Sequence, residues 1–204
     1  MKEKYIEDLK EIKNMMNRSS RFLSLSGVSG VTAGIIALAG AYLAHRMVFS
    51  QDNLLTFNSV KLTSGQFVNL LTIALATMIV SIGLVIFLTT RETKKRGQKI
   101  WDHQTKRILV NLFVPLLAGG VVILSFLFKG YIGVIIPLSL IFYGLALFNV
   151  SKYTLNEIGN LGLIEMALGL IALQFIAYSL WFWVAGFGLF HIVYGFIVKL
   201  KYKS

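Results

Sequence analysis

The chain has 204 residues, with no cysteine, two prolines, three histidines and nine acidic residues. Without thiols there is no disulfide framework, no thiolate metal site and no redox switch. Charge is scarce as well. Charged residues make up 14% of the chain, against about 25% in soluble domains. Hydrophobic residues reach 56%, above the roughly 45–50% of soluble domains, and the mean hydropathy is +0.72. These shortfalls exclude an ordinary water-soluble domain. Motifs are missing too: no metal-ligand spacing, nucleophile elbow, phosphate loop or dinucleotide fingerprint occurs. His45 and His103 are more than fifty residues apart and fall on opposite sides of the expected topology, so they share no metal. No cofactor, metal or catalytic set is expected, and the reading is non-enzymatic.

What the chain does have is a succession of long apolar runs. They place six spans at about residues 22–43, 67–89, 108–128, 131–150, 161–178 and 181–198. Each has 18–23 residues, which at about 1.5 Å per residue matches a hydrocarbon core near 30 Å. The expected fold is all-α, an integral membrane helical bundle of six transmembrane helices arranged as three hairpins. Between the second and third spans lies the basic loop 90–107, with Arg91, Lys94, Lys95, Arg96, Lys99, Lys106 and Arg107 against Glu92 and Asp102. Such a cluster is retained on the cytoplasmic side, because moving it across the bilayer costs too much. With six spans both termini then share that side, which carries 17 of the 20 Lys and Arg residues and leaves three outside.

The net charge of +11 sits at the ends of apolar runs. It therefore reads as a topology signal and an anchor to anionic lipid headgroups, not as a nucleic-acid surface. Residues 1–21 repeat Tyr5, Leu9, Ile12 and Met16 at helical spacing among Lys and Glu. This predicts a cytoplasmic amphipathic helix that lies on the inner leaflet or docks a soluble cytoplasmic partner. No cleavable signal peptide is expected, since the first apolar run exceeds the length of a signal h-region. In the first span Ser26, Gly30 and Gly34 form a small-residue stripe that allows close helix packing, within the chain or in a homo-oligomer. Thr154-Leu-Asn-Glu157 matches a capping box for the fifth span. The last hairpins carry a weak internal likeness: Tyr143-Gly144 and Tyr194-Gly195 are offset by 51 residues.

Two groups inside the spans carry chemistry. Glu165 and His191 lie about 6 and 10 Å into the fifth and sixth spans from the inner end, so antiparallel neighbours bring them to similar depth. An ionisable residue at membrane depth is a functional candidate, here a proton-accepting pair; a hydrogen-bonded structural clasp is the alternative. Asn111, Pro115 and Pro137 form the second group. Proline in a span frees a backbone carbonyl, and these three are candidates for a kink or polar path between the third and fourth spans.

The stretches Asn17-Arg-Ser-Ser-Arg-Phe-Leu-Ser-Leu-Ser-Gly-Val-Ser-Gly30 and Tyr153-Thr-Leu-Asn-Glu-Ile-Gly-Asn-Leu-Gly-Leu-Ile-Glu-Met-Ala-Leu-Gly169 resemble an uncharacterised family of short bacterial polytopic inner-membrane proteins. The resemblance implies a bacterial inner membrane and brings no activity with it. The expected role is an assembly, sensor or regulatory component acting through the basic cytoplasmic surface. A small oligomeric transporter or channel built on Glu165 and His191 is the alternative.

Overall fold

In hydrocarbon every backbone N–H and C=O must be satisfied within the segment itself, so long apolar runs become helices. The computed structural model describes residues 27–49, 62–95 and 103–202, with Tyr5, Ile6, Leu9 and Trp101. Six helices in it are long and apolar enough to cross a membrane, and no strand occurs among the described residues. They are α1 (Gly27–Phe49), α2 (Ser64–Lys95), α3 (His103–Phe128), α4 (Ile132–Ser151), α5 (Asn156–Gln174) and α6 (Ile176–Tyr202). Tyr5, Ile6 and Leu9 are helical and exposed. The expected N-terminal amphipathic helix otherwise lies outside the described residues.

Local chemistry sets the ends. Thr63 and Gln66 form a reciprocal capping box at the start of α2: the Thr63 N–H donates to Gln66 Oε1 at 3.0 Å, and the Gln66 N–H to Thr63 Oγ1 at 3.3 Å. α2 then runs 32 residues, about 48 Å, well past a hydrocarbon core of about 30 Å. Its basic last turn is thereby carried beyond the core. After α3, Gly130 takes a φ of 80°. The Tyr131 N–H reaches the Phe126 carbonyl and the Gly130 N–H that of Leu127, both at 3.0 Å, a Schellman turn that only glycine enters without strain. The capping box expected at Thr154 is not formed. Thr154 Oγ1 instead donates back to the Val150 carbonyl at 3.0 Å, so it closes α4, and Leu155 stands at the N-cap of α5 with no side-chain bond.

Packing follows the small residues. α4 and α5 make the most extensive contact: a Cβ on Gly144 would lie 2.6 Å from the Gly162 carbonyl oxygen, and one on Gly162 2.7 Å from that of Gly144. Only glycine lets two backbones approach so closely. α1 lies against α6 in the same way, with Gly30 beside Tyr194 and Gly195, and Gly34 beside Ile192 and the Gly188 carbonyl. Ser26 of the expected stripe lies outside the described residues. Of the three sequential hairpins expected, α1 packs on α2 and α3 on α4, but α5 meets α6 less extensively than it meets α4. The pairings α4 with α5 and α1 with α6 dominate, and there the glycines meet the partner helix's backbone, whereas Gly40 and Gly119 meet the side chains of Thr77 and Phe142.

α2 and α3 sit at the periphery and turn their apolar side chains outward, among them Ile79, Phe87, Leu117 and Val121. In water such a surface would aggregate; against lipid tails it costs nothing. The interior is made by α1, α4, α5 and α6, and it contains Ala37, Leu140, Ile158, Leu161, Val198 and the polar pair described next.

Candidate functional site

On α5 the buried positions Ile158, Leu161, Gly162, Glu165, Gly169 and Ala172 recur at three- and four-residue steps, a single helix face turned toward α4 and α6. That periodicity carries Glu165 inward, and it is fully buried. On α6 a π-helical segment, Val184–Phe190, precedes His191. Such wider turns are rare and concentrate at functional sites. This one presents the bare backbone of Gly186 to the Glu165 carboxyl, where an added Cβ would also press on Leu140 Cδ2 at 2.8 Å.

The structure brings Glu165 and His191 together, with Nδ1 of His191 3.3 Å from Oε1 of Glu165. The same Nδ1 is 3.0 Å from the Gly186 carbonyl. On the other side of the ring, Nε2 is 2.9 Å from the Tyr143 hydroxyl of α4. A carbonyl can only accept, so Nδ1 carries the proton in the neutral ring, and Nε2 then accepts from Tyr143 O–H. Both ring nitrogens are thus served without help from the carboxyl. Stacked rings hold the imidazole in place: Phe187 lies 5.8 Å from it and Tyr143 5.5 Å, and Trp183 backs Phe187 at 4.8 Å.

Glu165 is less well supplied. Both of its oxygens are buried, and neither accepts a hydrogen bond from the described residues. Nδ1 is close to Oε1, but its N–H is aimed at Gly186, so the contact is one of charge more than of a formed hydrogen bond. A lone charge at this depth is costly. The pair is therefore stable when net neutral, either as carboxyl with imidazole or as carboxylate with imidazolium. These two states differ in whether one proton resides on the carboxyl or on Nε2, the ring nitrogen that faces Tyr143.

The chain matches no family model, no curated protein and no solved structure. The site's chemistry therefore rests on its geometry.

Other candidates are placed apart from this cluster. Asn111 donates from Nδ2 to the Arg107 carbonyl of its own helix at 2.8 Å. Pro115 lies within α3, which continues through it. Pro137 is buried in α4, with its carbonyl facing Gly169 of α5. Of the basic loop, Arg91, Lys94, Lys95, Lys106 and Arg107 are exposed, and Arg96 and Lys99 lie outside the described residues. Among the described residues no cluster of metal-ligating side chains occurs. Sequence reasoning did not assign Tyr143, Gly186 or Phe187 to the site. The one signal for Tyr143 was its recurrence as Tyr194-Gly195; nothing in the sequence marks a π-helical turn at Gly186.

Proposed function

We propose that this chain is a multi-pass membrane protein that binds and releases a proton at Glu165, His191 and Tyr143, as a small proton-coupled transporter or channel. One observation carries the reading: the buried carboxyl keeps hydrogen-bonding capacity unused while its imidazole partner is fully served by Tyr143 and Gly186. A purely structural clasp would spend both carboxylate oxygens on donors, because an unmet buried acceptor costs about 1–3 kcal/mol. A site that must pick up and lose a proton has to retain that capacity. The membrane is taken to be a bacterial inner membrane. Both termini and the basic loop 90–107 face the cytoplasm, residues 1–21 form an amphipathic helix along that face, and copies assemble into an oligomer.

The test is proton uptake into liposomes carrying the purified protein, driven by a potassium gradient and followed with a pH-sensitive dye. Wild-type protein is expected to acidify or alkalinise the lumen well above empty vesicles, and Glu165→Gln to remove that signal while inserting normally. Equal signals from both proteins would end this reading.

A second reading is supported by the exposed Arg91, Lys94, Lys95, Lys106 and Arg107: an assembly, sensor or regulatory component that binds anionic headgroups or a soluble cytoplasmic partner. It is distinguished by tolerance of Glu165→Gln, with loss of partner when Leu9, Ile12 and Met16 are made polar.

A further inference from the structure

Glu165 of the buried pair and Glu157 at the end of the bundle are eight residue steps apart on α5, about 12 Å of helix. At that end Glu157 is held by Lys201 Nζ at 2.5 Å and by the Tyr202 hydroxyl at 3.2 Å. Lys201 is exposed, in the basic last turn of α6. In this region Leu155, Ile158, Leu161 and Val198 form a buried cluster, with Leu147, Phe190 and Tyr202 packed against it. Tyr194 is embedded in the same cluster.

Its position is out of keeping with an apolar filler. Tyr194 is 8% exposed, and its buried hydroxyl has no hydrogen-bond partner among the described residues. A buried tyrosine hydroxyl ordinarily finds one. Tyr194 is three residues beyond His191 on α6 toward the Lys201 end, about 4.5 Å of rise. Along α6 it stands between His191, which meets the Tyr143 hydroxyl, and Tyr202, which bonds Glu157. Gly30 of α1 leaves room for its ring, since a Cβ there would meet Tyr194 Cδ1 at 3.0 Å.

We propose that Tyr194 is the stepping stone by which protons pass between the Glu165–His191–Tyr143 cluster and the Glu157–Lys201–Tyr202 group, so that the buried pair is loaded from that end of the bundle. This inference rests on the proton-coupled reading above. The hydroxyl is both donor and acceptor. A hydronium ion arriving on the Glu157 side gives its extra proton to the phenol oxygen as the phenol releases its own proton inward, through a second water, to the Glu165 carboxylate, so the carrier is left as water and the phenol stays neutral. No charge stays on the ring, and the O–H is restored when the ring turns. The groups facing this route are Glu157 and Glu165 of α5, Tyr143 of α4, and His191, Lys201 and Tyr202 of α6.

Tyr194→Phe separates this role from a structural one. It removes a hydroxyl that makes no bond to the described residues, so the melting temperature in detergent is expected to stay level or rise. The initial rate of proton uptake in liposomes is expected to fall about tenfold or more, the scale on which a lost proton carrier acts. Glu157→Gln, which leaves Tyr194 and the core untouched, should slow uptake in the same direction. Wild-type uptake with an undiminished Tyr194→Phe rate overturns the route and leaves the Glu165 reading standing. A lowered melting temperature with a normal rate per folded molecule makes Tyr194 a packing residue and also overturns it. Absence of uptake by the wild type overturns both.

Discussion

Replacing Glu165 and His191 by Gln, singly and together, should give sharply unequal losses of stability. Two unit charges 3.3 Å apart attract by about 5 kcal/mol at an effective dielectric of about 20. That attraction roughly offsets the several kcal/mol needed to desolvate each ion. Neutral His191 is already satisfied by Tyr143 and the Gly186 carbonyl, so Glu165→Gln should cost about 1 kcal/mol or less. His191→Gln removes the one basic side chain that meets the fully buried Glu165 among the described residues, and a carboxylate stranded there costs about 3–5 kcal/mol. With both replaced there is no charge to strand, and the double variant should recover all but the lost bonds to Tyr143 and the Gly186 carbonyl. A coupling of about 2–3 kcal/mol follows. Unfolding by sodium dodecyl sulfate in mixed micelles, followed by circular dichroism, measures all four proteins on one scale. Small and additive losses would refute the reasoning, because they would mean that Glu165 carries no charge for His191 to balance.

Two glycines should respond oppositely to a single methyl group. In Gly144→Ala the methyl meets α5 backbone, the Gly162 carbonyl at 2.6 Å and the Met166 nitrogen at 2.7 Å; an overpacking cost of about 1–3 kcal/mol should outweigh a helix-propensity gain of up to about 1 kcal/mol, seen as a lower melting temperature. In Gly186→Ala the methyl meets movable side-chain ends, the Glu165 carboxyl and Leu140, so stability should change less while proton uptake falls as the carboxyl is pushed from His191.

Much of the architecture could be read from hydropathy alone, because a run of about twenty apolar residues in lipid has one low-energy backbone. Helix ends were less legible, since they depend on competing local bonds. Thr63-x-x-Gln66 and Thr154-x-x-Glu157 have the same form, yet only the first caps a helix. At the second, the Thr154 hydroxyl finds the Val150 carbonyl within reach and Glu157 is drawn to Lys201 and Tyr202. Helix pairing followed the same logic. A glycine stripe shows that some backbone approaches closely, but not which one; Gly30 and Gly34 met α6, and the α4–α5 contact rests on Gly144 and Gly162, neither of which the sequence marked for packing. The approach of Glu165 and His191 was readable from depth along antiparallel helices. The phenol and the glycine carbonyl that complete the cluster were not, because the π-helical turn that aims them leaves no trace in periodicity.

Infrared difference spectroscopy of the protein in liposomes tests the claim about Glu165 most directly, with Glu165→Gln as the reference for its carboxyl band. A proton-exchanging site should show a protonated-carboxyl band that vanishes from the Gln variant and changes with bulk pH in the wild type. A Glu165 band that stays constant across the whole titration would contradict it, leaving a buried clasp that exchanges nothing with the solution.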